Sequence, residues 1–338
     1  KIMEMKKIAE VVGMKISRAM TKKKGEGWWL RYHTPFMSAA SRAIVERMES
    51  VDFIIDVRDA RIPLSSTCHL PVANEIHSPR RIIVLNKIDL ADRSQLKRWR
   101  AHFNQECRAC CGVDSHNKES VKQVEKNRAS TVMMIGIPNV GKSALANSMH
   151  VVGRLSAEEK GKLKHSTVSP DPGETKDITS LKIGSHPSIY VLDTPGVLPN
   201  ETPSFQTISK LALTGAIVDD CIDARLLAGY FLLVVGLSDE YKKWTMCSGK
   251  GVKGHPSDHT QDDVVHAVRG AIYDAINTFG ELPNEDEWKK LVRIQMSALR
   301  CILMPPHQPA NRDYLKVSQK ILNLVRTGRL GHFTFDFI

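Results

Sequence analysis

Three short motifs rich in Gly, Asn and Asp occur along this chain, and their order permits few folds. Asn86-Lys87-Ile88-Asp89 comes first, Gly136-Ile137-Pro138-Asn139-Val140-Gly141-Lys142-Ser143 second, and Asp193-Thr194-Pro195-Gly196 last. Each follows a short apolar run: Arg81 to Leu85, Thr131 to Ile137, and Ser188 to Leu192. Further β-rich runs at Val51 to Val57 and Arg108 to Val113 alternate with helical stretches, and Ile178 to Ile183 reads as the hairpin partner of the third run. The pattern predicts an open, mostly parallel sheet with helices on both faces. Ligands in such sheets bind beyond the carboxyl ends of the strands, where all three motifs fall. They meet on one nucleotide only if the base-reading end of the domain precedes the phosphate-reading end. The predicted fold class is therefore α/β, a circularly permuted phosphate-loop domain with a small all-α domain behind it.

The chemistry of each motif is legible in its residue types. The glycine-rich loop turns successive backbone N–H groups toward a phosphate at a helix N-terminus, so Pro138, Asn139, Val140, Gly141, Lys142, Ser143 and Ala144 are the phosphate-side candidates. Lys142 suits the β- and γ-oxygens, and the Ser143 hydroxyl suits Mg²⁺. Asp193 suits the same metal through water, and the Gly196 N–H suits the γ-phosphate. Asp89 can accept from both N1–H and the 2-amino group of guanine, which adenine does not offer in that geometry. Asn86 would hold the loop and reach N7, and the Lys87 stem would cover the ring. Ser115, after the third strand, is the candidate second base-side contact. Thr175, in the polar stretch before Ile178, is the candidate third oxygen on Mg²⁺. The implied ligand is GTP rather than ATP.

The sequence has 338 residues, with 42% hydrophobic and 25% charged, which is ordinary for a globular chain. Its net charge of +11 favours polyanionic partners. Seven scattered cysteines point to a reducing compartment, and Cys107, Cys110 and Cys111 read better as a buried strand than as zinc ligands. No run reaches the ~18 apolar residues of a membrane span. Residues 1–27 form a basic N-terminal segment whose apolar residues recur at roughly helical spacing. It suits an import sequence, a nucleic-acid arm or peripheral membrane contact. Residues 28–200 read as the nucleotide domain. Residues 201–338 read as helical, with helices expected over Ile208 to Ile217, Asp219 to Leu237, Asp262 to Phe279, Glu285 to Leu303 and Asp313 to Thr327. Met246 to His259 reads as a mobile loop. Gly328 to His332 reads as a helix end followed by a return strand or tail. Basic residues in the helical half (Lys250, Lys253, Lys316, Lys320, Arg326, Arg329) are diffuse.

In this order the motifs resemble the circularly permuted GTPases of the ribosome-assembly family. That family takes in the bacterial large-subunit biogenesis GTPases and the mitochondrial ribosome-associated GTPases. Asp59-Ala60-Arg61, followed by Ile62-Pro63, looks like its name-giving DAR motif, and the match is nearest to the plant mitochondrial DAR GTPases. The resemblance implies GTP hydrolysis stimulated by the ribosomal particle and large-subunit maturation in the mitochondrion, in the matrix or at the inner membrane. It also implies an rRNA-contacting C-terminal domain and a monomer off the ribosome. Two positions depart from common GTPase usage. Val197 stands where many have a water-orienting Gln, and Phe36 stands where relatives commonly carry a histidine. His33 is the nearest stand-in, so no catalytic residue is assigned with certainty. Asn139 resembles the asparagine with which several assembly GTPases hold K⁺. Phe36 also leaves open a nucleotide-gated RNA-binding scaffold with negligible hydrolysis, and the basic N-terminal segment leaves open a membrane-surface GTPase.

Overall fold

A computed structural model describes residue 29 and residues 35–70, 80–105, 109–122, 124, 131–159, 177–185, 188–199, 201–217, 222–238, 240–247, 263–279, 285–304 and 310–338. The chain divides into two compact units that meet between Pro203 and Ser204. The expected mobile loop lies outside the described residues beyond Cys247.

The first unit is built on a six-stranded sheet, with helices α1 (Pro35–Met48), α2 (Arg93–Gln105), α3 (Lys118–Lys122) and α4 (Lys142–Glu159). Its strands are β1 (Phe53–Asp59), β2 (Arg80–Asn86), β3 (Ala109–Val113), β4 (Thr131–Ile135), β5 (Thr179–Ser185) and β6 (Ser188–Asp193). Their order is β3-β2-β1-β4-β6-β5, parallel except for the β5–β6 hairpin at one edge. From its second residue on, β1 is buried at every position, as is β4, so both faces of the central sheet are covered. On α1, Ala40, Ile44 and Met48 form one stripe that packs on Ile54, Met133, Ile135 and Val197. On α2, Trp99 and Phe103, with Leu96, pack on Ile83 and Leu85. Where α4 passes β5, a Cβ at Gly153 would lie 1.8 Å from the Ile183 carbonyl oxygen, so only glycine permits that approach.

One expectation for this unit needs correction. The strand expected to end at Val57 continues through Arg58 and Asp59, in register with Leu85 and Asn86. It continues because both charges are buried in ion pairs, so they do not force the chain out to water. Helix α2 fills the helical stretch expected between the second and third strands, for which the sequence set no bounds. Its dense basic residues hide an apolar stripe of only Leu96, Trp99 and Phe103.

The second unit contains α5 (Phe205–Leu213), α6 (Ala224–Leu237), a 3-10 helix over Glu240–Cys247, α7 (Asp263–Phe279), α8 (Glu285–Leu303) and α9 (Ala310–Arg326). Helix α6 starts at Ala224, not Asp219, because the Asp223 side chain caps it by accepting from the Arg225 N–H at 2.9 Å. Helix α5 opens earlier than expected, capped by Ser204, and stops at Leu213, followed by Gly215 at φ 77°. Beyond α9 the chain forms a tail rather than a strand. The tail buries Phe333 and Phe335 against Phe231 and ties Asp336 to Lys210 at 2.8 Å. Arg326 donates to the Leu213 carbonyl at 3.3 Å and to the Ala212 carbonyl at 2.7 Å, which also accepts from the Gly215 N–H. Among the described residues no helix is long and apolar enough to cross a membrane.

Candidate functional site

The first two motifs meet directly. Asn86, at the end of β2, is buried and donates from Nδ2 to the Val140 carbonyl at 2.9 Å. Its Oδ1 accepts from the Ser115 hydroxyl at 2.8 Å and from the Ser115 N–H at 3.2 Å. One amide side chain thus joins three separate segments. Gly141 has φ 92°, and a Cβ there would stand 2.4 Å from Asn86 Nδ2, so glycine is required twice over. Lys87 adopts left-handed backbone (φ 63°), an uncommon conformation for lysine that turns the loop sharply. Its Nζ donates to the Asn139 carbonyl at 2.5 Å, and Asn139 is itself left-handed at φ 59°. Asp89 lies exposed on the 3-10 turn Ile88–Leu90. Surrounding protein lifts its carboxyl above the usual value and Asp114 adds to the lift, while its own backbone N–H, His116 and Arg61 oppose it.

The third motif meets the phosphate loop from the other side. A Cβ on Gly196 would fall 2.5 Å from Pro138 Cα and 2.6 Å from Pro138 N. The Val197 N–H donates to the Gly136 carbonyl at 3.3 Å, and the Thr194 hydroxyl donates to the Met134 carbonyl at 2.6 Å. Lys142 is buried and donates to the Gly136 and Ile137 carbonyls at 3.1 and 2.9 Å. Burial brings its ammonium down to about 8, and the nearby Asp193 carboxylate opposes that fall. Ser143 and Ala144 follow in the first turn of α4, both half-buried. Ser143 and Asp193 offer hydroxyl and carboxylate oxygens, a hard-oxygen set that suits Mg²⁺. The tight approach at Gly196 gives a testable outcome. Gly196→Ala must push backbone against backbone at a cost of about 1–3 kcal/mol, so triphosphate affinity should fall roughly 5- to 150-fold. Diphosphate affinity should fall less. Equilibrium titration with both nucleotides measures the ratio.

Sequence reasoning recognised Asp59 and Arg61 as a motif without assigning them chemistry. In the structure Arg61 forms a fork on Asp59, with Nε at 2.9 Å from Oδ1 and Nη2 at 2.7 Å from Oδ2. Lys87 Nζ reaches the same carboxylate at 3.2 Å. Burial would lift the Asp59 carboxyl, but Arg61 and Lys87 outweigh burial and hold it at about 2. The Ala60 N–H donates to the Asn86 carbonyl at 2.8 Å. The motif is therefore the floor on which the tetrad Asn86 to Asp89 stands. A second buried cluster was missed altogether. Asp56 Oδ2 accepts from Arg58 Nε and Nη2 at 2.9 and 2.8 Å and from Arg81 Nη2 at 2.8 Å, and Arg58 lies over the Phe103 ring. Charges two apart inside an apolar run were the available signal. Nearby, burial and then Asp56 push the Cys68 thiol up to about 12.

Of the other expected residues, Ser115 supports Asn86 and receives the Ser148 hydroxyl at its carbonyl. Thr175 and His33 lie outside the described residues. Phe36 stands exposed on α1.

A family model described as 50S ribosome-binding GTPase matches residues 131–232. The match opens at β4, the strand feeding the phosphate loop, and leaves the base-reading tetrad outside, as a permuted order requires. The curated protein "DAR GTPase 2, mitochondrial" of Arabidopsis thaliana is 45% identical over 341 residues, covering 91% of this chain and 90% of that protein. "Mitochondrial ribosome-associated GTPase 1" of Xenopus tropicalis is 31% identical, covering 61% of this chain and 70% of that protein. Among solved structures, GDP-bound YlqF of T. maritima covers 87% of this chain and 98% of that chain, with a TM-score of 0.51 and 19% identity, a likeness of fold alone. Identity at this level over almost the whole length, on a sheet whose base-reading loop precedes its phosphate loop, places the chain in the family of circularly permuted ribosome-assembly GTPases.

Proposed function

We propose that this GTPase is a GTP-binding, GTP-hydrolysing assembly factor for the large subunit of the mitochondrial ribosome. The observation that carries the reading is the single bond from Asn86 Nδ2 to the Val140 carbonyl, because it brings base-reading and phosphate-reading segments together despite their reversed order. In this reading Asp89 takes the guanine edge, Asn86 reaches N7, the Lys87 stem covers the ring, and Ser115 closes the base side. The loop from Pro138 to Ala144 cradles the phosphates, with Lys142 on the β- and γ-oxygens. Ser143, Asp193 and Thr175 hold Mg²⁺, which supplies charge neutralisation on the phosphates when bound. Asn139 would be the residue to hold K⁺, which would offset phosphate charge when bound.

Gly196 relays the γ-phosphate to the segment that follows. The triphosphate favours the state with higher affinity for immature rRNA, and hydrolysis releases the protein. Residues 28–200 form the GTPase domain, residues 201–338 an rRNA-contacting domain, and residues 1–27 a basic segment. Mitochondrial placement is supported by the name of the Arabidopsis relative, and the matrix is the compartment that holds such a substrate.

Phe36 has no proton to exchange, so intrinsic hydrolysis should be slow without the particle. Single-turnover hydrolysis in K⁺ and in Na⁺, with and without large-subunit particles, tests the whole reading. The expected result is stimulation by particles and a faster rate in K⁺. Tight GTP binding with no turnover under any condition would instead favour a nucleotide-gated RNA-binding scaffold.

A further inference from the structure

Helix α2 (Arg93–Gln105) contains five basic side chains, Arg93, Lys97, Arg98, Arg100 and His102, and no Asp or Glu. Arg93, Lys97, Arg98 and Arg100 are all exposed, and among the described residues none of them pairs with a carboxylate. Like charges spaced three or four residues apart on one helix repel and destabilise it. The helix is nevertheless held in place by Trp99 and Phe103 beneath it and by its cap, where the Asp92 carboxylate accepts from the Gln95 N–H at 2.9 Å.

The charges are not spread evenly. Arg93, Lys97, Arg100 and Asn104 follow i, i+4, i+7 and i+11, one stripe running beside the buried one. From Arg93 to Arg100 the stripe extends about 10 Å along the axis, at ~1.5 Å per residue. Arg98 falls on the outward side, off the stripe. The stripe flanks the edge strand of the sheet, where Arg100 Cδ comes within 3.9 Å of a Cβ placed on Gly112.

We propose that this stripe is an RNA-contact face on the GTPase unit, with Arg93, Lys97 and Arg100 binding backbone phosphates of a folded RNA. The inference rests on the RNA partnership proposed above and goes beyond it by placing contact outside the helical unit. Two arginine forks and an ammonium suit phosphate oxygens, and Asn104 adds a neutral donor and acceptor. A membrane surface fits less well, because an interfacial helix needs a free apolar face and α2 has committed its own to the sheet. The cap residue Asp92 lies two residues beyond the turn that carries Asp89, so a phosphate held on α2 sits on an element continuous with the base-reading loop.

The test uses the full chain and a fluorescein-labelled RNA hairpin, followed by anisotropy at several salt concentrations. Arg93→Gln/Lys97→Gln/Arg100→Gln should weaken binding at least about tenfold and flatten the log K versus log salt slope by about 2–3, since each duplex phosphate contact contributes roughly 0.9. Arg98→Gln should change the slope by less than about 0.5. Guanine-nucleotide affinity should match wild type in both. If the triple variant does not fold, Arg93→Gln/Lys97→Gln leaves Arg100 against the sheet and should remove about two thirds of the effect. An unchanged slope in a folded variant overturns the proposal. So does an equal loss from Arg98→Gln, or a loss seen only with phosphatidylglycerol vesicles. If the wild type binds the hairpin not at all, the RNA partnership itself fails, and this placement with it.

Discussion

Asp89→Asn should reverse the base preference of this GTPase. Guanine presents two donors, N1–H and the 2-amino group, to a carboxylate that accepts both. An asparagine there offers one acceptor and one donor, so it meets the 2-amino group with a like group. Two charge-assisted bonds of about 1.5–3 kcal/mol each are at stake, so GDP and GTP affinity should fall roughly 100- to 10,000-fold. Xanthine carries a carbonyl where guanine carries the amine, and that carbonyl accepts from the new amide. XDP affinity should therefore rise as GDP affinity falls. Because Asn86 and Lys87, not Asp89, make the bonds to the phosphate loop, the substitution leaves that scaffold intact. Thermal stability should accordingly stay near wild type. Titration of wild type and variant with guanine and xanthine diphosphates decides the matter, and an unchanged ratio would remove Asp89 from base recognition.

The parts of the site legible in the sequence are those whose chemistry is local. A glycine-rich loop between a strand and a helix, or a carboxylate at a strand end, carries its meaning within a few residues. The sequence order also implied that these parts must converge, and the contacts of Asn86, Lys87, Lys142 and Gly196 are the physical form of that convergence. What stayed illegible depends on partners far along the chain. Asp56 and Arg58 look misplaced in a buried strand, and Arg58 reads as the strand's end, because charges normally leave the core. Their burial rests on their own ion pair, on Arg81 on the neighbouring strand, on the Pro63 carbonyl and on the Phe103 ring on α2. The bounds of helix α2 were hidden by composition, since three apolar residues among five basic ones give a weak periodic signal. The start of α6 was misjudged because Asp219, Asp220 and Asp223 all have cap chemistry, and only the backbone decides which is used.

Asp59→Asn should cost more stability than a substitution anywhere on the exposed surface of the first unit. The residue is 2% exposed and faces Arg61, itself 3% exposed, with Lys87 on its other side. An amide of the same shape keeps the volume and removes the charge, leaving a buried guanidinium without its counter-ion. Breaking one partner of such a pair costs about 3–5 kcal/mol, a large part of a typical folding free energy of 5–15 kcal/mol. The expected fall in Tm is roughly 6–20 °C, at about 2–4 °C per kcal/mol for a domain of this size.

The pH dependence has a definite sign. The folded-state carboxyl is held at about 2 against an ordinary 3.8, so its contribution is present above the ordinary value and lost as pH falls from about 4 to 2. That window is worth about 2 kcal/mol in wild type and should vanish in the variant, measured by denaturant unfolding at each pH. A double variant separates stability from nucleotide recognition. Asp59→Leu/Arg61→Met removes both buried charges, and filling such a site with apolar groups is often neutral or stabilising. Stability should therefore recover in large part, less the bond that the Arg61 N–H gives to Asp59 Oδ1 at 3.0 Å. Lys87 would still lack the carboxylate that anchors it over the Asn139 carbonyl, so GDP affinity should remain depressed at least about fivefold, at roughly 1 kcal/mol for the lost contact. Recovery of both together would mean that the Asp59–Arg61 pair serves folding alone. Recovery of stability without affinity would fix its role as the support of the base-reading loop.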